Sequence, residues 1–189
     1  MTLKQTPSQT IGPYFRYALT PESYGHLGIV NGNLLVPGIK GEKIRIAGRV
    51  FDGASKPMSD ALVEIWQADA EGAYPPSAEP GKFSGFGRVE TDKQGEFRFE
   101  TVKPGAVPGR GNAWQAPHIA IILSARGMLG HVFTRLYFAD ETDANTQDPV
   151  LNTVPAERRK TLVATRGADG IYRFDIHVQG DEETVFFEV

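Results

Sequence analysis

Hydrophobic and polar side chains alternate along most of the chain that follows residue 43. Ile44, Ile46 and Val50 alternate with Arg45 and Arg49, which is typical of a strand with one face in a core. Alternation of this kind, or a short apolar run that suits a central strand, predicts further strands. They cover residues 62–66, 97–99, 118–124, 132–138, 172–178 and 185–189.

Turn signals separate these predicted strands. They are Asp52-Gly53, residues 92–95, residues 103–105 and Asp169-Gly170, and the last pair is typical of a type I′ hairpin. One short helix is predicted, with Pro155 as its first residue and residues 156–162 after it. About seven short strands with turns between them predict an all-β fold, a β-sandwich with long loops.

We expect residues 1–189 to form a single domain, since no internal repeat or low-complexity linker interrupts them. Residues 1–40 lack a clear period and are expected to form an N-terminal arm and loops. Gly12-Pro13 fixes a bend in this arm. Ile11 and Tyr14 are too apolar for full exposure, so the arm is expected to dock on another surface.

Composition excludes several classes of function. The net charge is -3 and there is no cysteine, so we expect no nucleic-acid partner, no disulfide and no thiolate chemistry. The longest apolar run, Ile119–Leu123, is too short to span a membrane. The N-terminal residues lack the apolar stretch of a secretory signal, and a cytoplasmic location is expected.

Local catalytic motifs are sparse. The Gly-x-Ser-x-Gly motif is absent, and the acidic run 140–143 lacks the calcium-loop pattern and is expected to be a solvated loop. Four histidines are present, of which His118 opens the apolar strand after Ala116-Pro117. On its own, His118 is more typical of a hydrogen-bonded core residue than of a ligand. Tyr74 is more typical of a packed ring with a solvent-exposed hydroxyl.

Several longer motifs taken together resemble the intradiol ring-cleavage dioxygenases, and they cover nearly the whole chain. They are residues 7–14, residues 63–69, Gly72-Ala73-Tyr74, residues 86–88, residues 101–105, residues 116–119 and residues 183–187. The resemblance implies the fold of that family and cleavage of an aromatic ring between two hydroxylated carbons. Complete members hold a non-haem Fe(III) with two tyrosines and two histidines, and hard phenolate ligands favour the ferric state.

This chain keeps half of the implied ligand set. Tyr74 stands at the first tyrosine position and His118 at the first histidine position. Val107 stands where the second tyrosine is expected. Ala120 stands where the second histidine is expected, two residues after His118 and on the same face of the strand. Valine and alanine offer no donor atom, so the resemblance predicts a vestigial site, no metal in this chain, and structural roles for Tyr74 and His118.

The family includes enzymes built from α and β chains of one fold, which implies a partner for this chain. In such an enzyme the β chain carries the Fe(III), and the α chain completes the substrate pocket. By the same resemblance, Gly12, Pro13 and Tyr14 line that pocket and Arg126 lies near the carboxylate of an aromatic acid, protocatechuate. A guanidinium suits this role because it binds carboxylates well.

Two other hypotheses remain open from the sequence. The chain could be an autonomous intradiol dioxygenase with a non-standard ligand set, in which His131 or Tyr137 replaces the lost donors. It could also be a β-sandwich that binds or scaffolds without chemistry, because a fold alone does not decide a function.

Overall fold

The computed structural model describes residues 18–76, 79 and 81–188. The arm residues 1–17, including Gly12, Pro13 and Tyr14, lie outside this part of the chain. The described strands are β1 (Lys43–Phe51), β2 (Ala61–Gln67), β3 (Phe86–Glu90), β4 (Glu96–Val102), β5 (Val107–Pro108), β6 (Trp114–Gln115), β7 (His118–Ala125), β8 (Val132–Phe138), β9 (Val163–Arg166), β10 (Ile171–Arg173) and β11 (Ile176–His177).

Nine of these strands form one sheet, and β5 and β6 form a separate hairpin. From β3 the order runs through β2, β7, β8, β9 and β10 to β1. β11 pairs with the end of β1, and β4 pairs with the other edge of β1 along its length. The prediction of an all-β fold is confirmed.

The sheet nearly closes on itself through the segment 31–34. The carbonyl of Asn31 accepts a hydrogen bond from Arg88 in β3, and Leu34 donates one to Glu100 in β4. Since β3 and β4 are the two ends of the strand order, this segment joins them. The core lies inside the curled sheet and contains Ile44, Ile46 and Val50 of β1, as the period of two predicted.

The predicted strands 44–50, 62–66, 97–99, 118–124 and 132–138 are confirmed within one or two residues at most ends. β3, β9 and the β5–β6 hairpin are too short or too polar to give a periodic signal. The predicted strand 172–178 is interrupted, because the side chain of Asp175 accepts the hydrogen bond of the Arg49 amide in place of a backbone carbonyl. Residues 185–188 form no strand, and only Phe187 bridges to Phe133.

The predicted helix is wrong in its position. Residues 156–158 form turns and Arg159–Leu162 a short 3-10 helix, whereas an α-helix, α1, spans Thr142–Gln147. The acidic run leads into α1 and is not a free loop, because Asp140 and Glu141 both pair with Lys103, at 2.9 and 2.6 Å. In the described part of the chain no helix has the length and apolarity needed to cross a bilayer.

Asp169-Gly170 does lie in a hairpin, between β9 and β10, but the turn is not type I′. Gly170 has a φ of 75°, and Asp169 is not among the described residues with positive φ. The amide of Gly170 donates to the carbonyl of Gly167, and the amide of Gly167 to Ile171, each over 2.9 Å. This pattern is a three-residue loop closed by a left-handed glycine.

Candidate functional site

A tight turn places Tyr74 beside the sheet. The turn runs from Asp69 to Gly72, and the Asp69 carboxylate accepts hydrogen bonds from the amides of Glu71 and Ala73 at 3.0 and 2.8 Å. Gly72 has a φ of 80°, which only glycine adopts freely. The Gly-x-Tyr motif therefore encodes the turn that delivers the tyrosine.

Two glycines bring the Tyr74 segment against the Val107 segment. A Cβ atom on Gly72 would lie 2.0 Å from the carbonyl oxygen of Ala106, and one on Gly105 would lie 2.6 Å from that of Ala70. The amide of Gly105 donates to the carbonyl of Asp69 over 2.9 Å. The glycine of the Lys-Pro-Gly motif is thus explained by backbone contact between the two loops.

His118 is buried, with 4% of its surface exposed, and its ring is oriented by one hydrogen bond. Nδ1 lies 2.7 Å from the carbonyl oxygen of Ala116. Because a carbonyl only accepts, Nδ1 carries the proton and Nε2 keeps its lone pair. Burial, and then the positive charge of Arg135, lower the pKa of His118 to about 4. The ring is therefore neutral near pH 7, and its tautomer is one that binds metals.

The loop before His118 is held by a buried carboxylate. Asp148 Oδ2 accepts the amide of Ala116 at 2.7 Å, and Oδ1 accepts the amide of Leu151 at 2.7 Å. The hydroxyl of Tyr137 donates to Oδ1 over 3.2 Å. These contacts fix the loop and the adjacent strand β8 around His118.

Ala120 lies in the middle of the same outward face as His118. Its register partners are Trp66 on β2 and Arg135 on β8. The Trp66 ring stacks on Tyr74, with centroids 5.9 Å apart and planes at 9°. Val107 is buried, and its strand partner Gln115 accepts a hydrogen bond from Arg135 over 2.7 Å. The structure thus connects all four predicted positions through their neighbours. We use the name Tyr74–His118 cleft for the group formed by Tyr74, Val107, His118 and Ala120 and their neighbours Trp66, Gln115, Arg135 and Tyr137.

The donor set of this cleft does not fit an iron ion. Val107 and Ala120 have no donor atom, which leaves one phenol and one imidazole, and burial raises the pKa of Tyr74. A guanidinium lies beside them. Among the described residues, no group of three or more His, Cys, Asp or Glu side chains could hold a metal. The motifs did not single out Arg135, because one arginine in an alternating strand gives no sequence signal.

Neither substitute ligand considered from the sequence is suitably placed. His131 is exposed just before β8, where it packs edge-on against Phe133. It is six positions from Tyr137, about 20 Å along an extended strand. Tyr137 is fully buried, and burial and the Asp148 carboxylate raise the pKa of its hydroxyl. A neutral phenol held by a carboxylate is a poor ligand for a cation.

Arg126 lies apart from the Tyr74–His118 cleft. It follows the last residue of β7, whereas His118 is the first, so the two are about 26 Å apart along an extended strand. Its side chain is 67% exposed, and Nε lies 2.8 Å from Oδ2 of Asp60. Among the predicted site residues that the structure describes, Arg126 therefore lies at the opposite end of β7 from His118 and is separate from the four predicted ligand positions.

Comparison with known proteins agrees with the motifs. The family model described as "Dioxygenase" matches residues 12–180. The chain is 48% identical to the protocatechuate 3,4-dioxygenase alpha chain of Burkholderia cepacia, covering 100% of this chain and 99% of that one. It is 34% identical to the beta chain of the same enzyme and organism, covering 76% of this chain and 67% of that one.

Among solved structures, the dioxygenase domain of a dioxygenase–carbohydrate-binding fusion from Streptomyces sp. SirexAA-E has a TM-score of 0.61 at 26% identity. The match covers 94% of this chain and 99% of that one. The fold, the motifs and the full-length similarity lead to one conclusion. The chain belongs to the intradiol ring-cleavage dioxygenase family.

Proposed function

We propose that this chain is the α subunit of a protocatechuate 3,4-dioxygenase and acts together with a β chain of the same fold. The observation that carries the proposal is the loss of donor atoms at Val107 and Ala120 in a chain that is similar over its full length to such an α chain. The resident metal of the family is non-haem iron, and in this proposal the partner chain holds it.

The intact surroundings of the cleft support descent from an iron-binding chain. His118 keeps the orienting hydrogen bond to Ala116, and Gly72 and Gly105 keep the loop contact that positions Tyr74. A scaffold protein has no requirement for this arrangement. Selection that preserved the fold but not the ligands accounts for both the intact surroundings and the missing donor atoms at Val107 and Ala120.

The contribution of this chain is substrate binding. We propose that Arg126 binds the carboxylate of protocatechuate, and that Gly12, Pro13 and Tyr14 line the same pocket. The exposure of the Arg126 side chain and its pairing with Asp60 support this role, because the guanidinium is accessible and its geometry suits a carboxylate. The overall reaction adds O₂ to protocatechuate and opens the ring to 3-carboxy-cis,cis-muconate, and an Fe(III) held by the partner chain would supply the oxygen chemistry. A cytoplasmic location is part of the proposal.

Reconstitution tests the division of labour. Each chain is purified separately, and protocatechuate-dependent O₂ uptake is measured for each chain and for the equimolar mixture, with the iron content of each. We expect iron in the β chain, and activity in the mixture that exceeds the sum of the two chains. A β chain that is equally active and stable without this chain would contradict the proposal.

The role of Arg126 is tested in the reconstituted complex. Arg126→Ala is expected to raise KM for protocatechuate and to change catechol turnover less, because catechol has no carboxylate. The matched control is Arg166→Ala, since Arg166 is also half-exposed and pairs with an acidic residue, Glu42, at 2.9 Å. Equal effects of Arg126→Ala on both substrates would exclude a contact with the carboxylate.

A further inference from the structure

Arg135 is a charged residue in the Tyr74–His118 cleft. It stands opposite Ala120 in the register of β7 and β8. Side chains two residues apart on a strand share a face, so Arg135 and Tyr137 lie on the same outward face as Ala120 and His118. Trp66 stands on the other side of Ala120 and stacks on Tyr74.

The guanidinium reaches from the position of Ala120 toward that of His118. Nη1 donates to Oε1 of Gln115 over 2.7 Å and lies 3.4 Å from the hydroxyl of Tyr137. Tyr137 is the register partner of His118, and their ring centroids are 5.8 Å apart. The positive charge is therefore held within the cleft and does not extend away from it.

The charge of this guanidinium is not neutralised by its hydrogen-bond partners. Gln115 contributes a neutral amide and Tyr137 a neutral phenol. Across the described ranges, Arg135 forms no ion pair with a carboxylate. The buried Asp148 carboxylate lies one hydrogen bond further away, where its Oδ1 accepts the Tyr137 hydroxyl over 3.2 Å, so it does not pair with the guanidinium directly. Burial, and then the charge of Arg135, lower the pKa of His118, and Asp148 opposes them. An arginine keeps its charge at any ordinary pH.

We propose that Arg135 holds a fixed positive charge inside the Tyr74–His118 cleft and so excludes metal cations from it. Metal binding is then prevented in two ways. Val107 and Ala120 supply no donor atoms, and the guanidinium repels the cation. A cation that entered the cleft would meet a like charge at short range in a partly buried place, where charges are weakly screened. The inference concerns this chain alone and does not depend on a partner.

The proposal predicts that restoring the donors is not enough. The double variant Val107→Tyr with Ala120→His adds one phenol and one imidazole to Tyr74 and His118 and so completes the four ligands, yet it is expected to bind Fe(III) at a small fraction of stoichiometry. Adding Arg135→Gln removes the charge and leaves an amide that can still bond Gln115. This triple variant is expected to bind close to one iron per chain and to absorb visible light, as iron(III)-phenolate sites do.

The matched control is the double variant with Arg135→Lys, which keeps the charge and is expected to remain iron-poor. Iron per chain is measured by elemental analysis after incubation with Fe(III) and desalting, and folding is checked by circular dichroism. Equal iron content in the double and triple variants, whether high or low, would overturn the proposal. So would iron binding by the Arg135→Lys control at the level of the triple variant.

A second measurement needs fewer substitutions and decides the question if the triple variant does not fold. Ala120→His alone places two imidazoles two residues apart on one face of β7, a pair suited to Zn(II). Zn(II) affinity is measured by titration calorimetry with and without Arg135→Gln. Removal of the charge is expected to raise the affinity at least about tenfold, and an unchanged affinity would contradict the proposal.

Discussion

The amide nitrogen of Ala116 lies 2.7 Å from Oδ2 of Asp148, and both residues are buried. This bond joins two segments that are 32 residues apart in sequence. Ala116 in turn offers its carbonyl to His118. A buried carboxylate thus fixes the loop that orients the histidine, and it also accepts the amides of Val150 and Leu151.

Replacement of Asp148 with alanine is expected to lower the free energy of unfolding by about 3 kcal/mol or more, because each buried amide left without an acceptor costs roughly 1–3 kcal/mol. Urea denaturation measures the change. Asp143→Ala, at an exposed position in the first turn of α1, is the control and should cost less than about 1 kcal/mol. Equal decreases in the free energy of unfolding of the two variants would show that the hydrogen bonds of Asp148 do not stabilise the fold.

Replacement of Gly72 with alanine is expected to destabilise the chain more than replacement of Gly111. Both glycines have positive φ, 80° and 66°, so both variants carry a backbone penalty of about 1–2 kcal/mol. A Cβ atom meets the carbonyl of Ala106 at Gly72 and nothing within 4 Å at Gly111. The clash should add at least about 1 kcal/mol in thermal or urea unfolding, and equal losses would contradict the loop contact.

The stability of the chain is expected to depend on pH through His118. Its pKa is lowered from 6.5 to about 4 in the folded chain, so the unfolded chain binds the proton more tightly between these values. The free energy of unfolding therefore rises with pH from about 4 to about 6.5, by roughly 3 kcal/mol in total.

Other groups also titrate in this range, so the measurement compares the wild-type chain with His118→Gln at a series of pH values. The difference between the two profiles should grow with pH across the window and level off above it. Parallel profiles would show that the histidine is not buried in its neutral form.

Replacement of Asp60 with asparagine is expected to lower KM for protocatechuate in the reconstituted complex. Nε of Arg126 lies 2.8 Å from Oδ2 of Asp60, so in the proposed role Asp60 competes with the substrate carboxylate for Arg126. Since an exposed ion pair is worth at most about 1 kcal/mol, the change should be about two- to fivefold. An unchanged KM, together with a raised KM in Arg126→Ala, would show that the two carboxylates bind Arg126 at the same time.

Much of the fold was predictable because long strands with one buried face carry a period of two. β1, β2, β7 and β8 follow this rule, and the last three carry Trp66, His118, Ala120 and Arg135 of the cleft. Strands of two to five residues show little or no period, so β3, β5, β6 and β9 were missed, and β10 and β11 were predicted as one continuous strand. The helix was assigned to Pro155 because proline suits a first helical turn, but the tertiary contacts of Asp140 and Glu141 with Lys103 lead into a helix at residue 142 instead.

The sequence by itself determined the family and the missing donors, because those depend on the identity of residues at fixed places in motifs. Tyr74, Val107, His118 and Ala120 are informative without coordinates for that reason. Only the tertiary structure showed that Arg135 lies beside Ala120 and that its charge points toward His118. Strand register pairs residues that are far apart in sequence, and no local pattern encodes which side chains will share a row of the sheet.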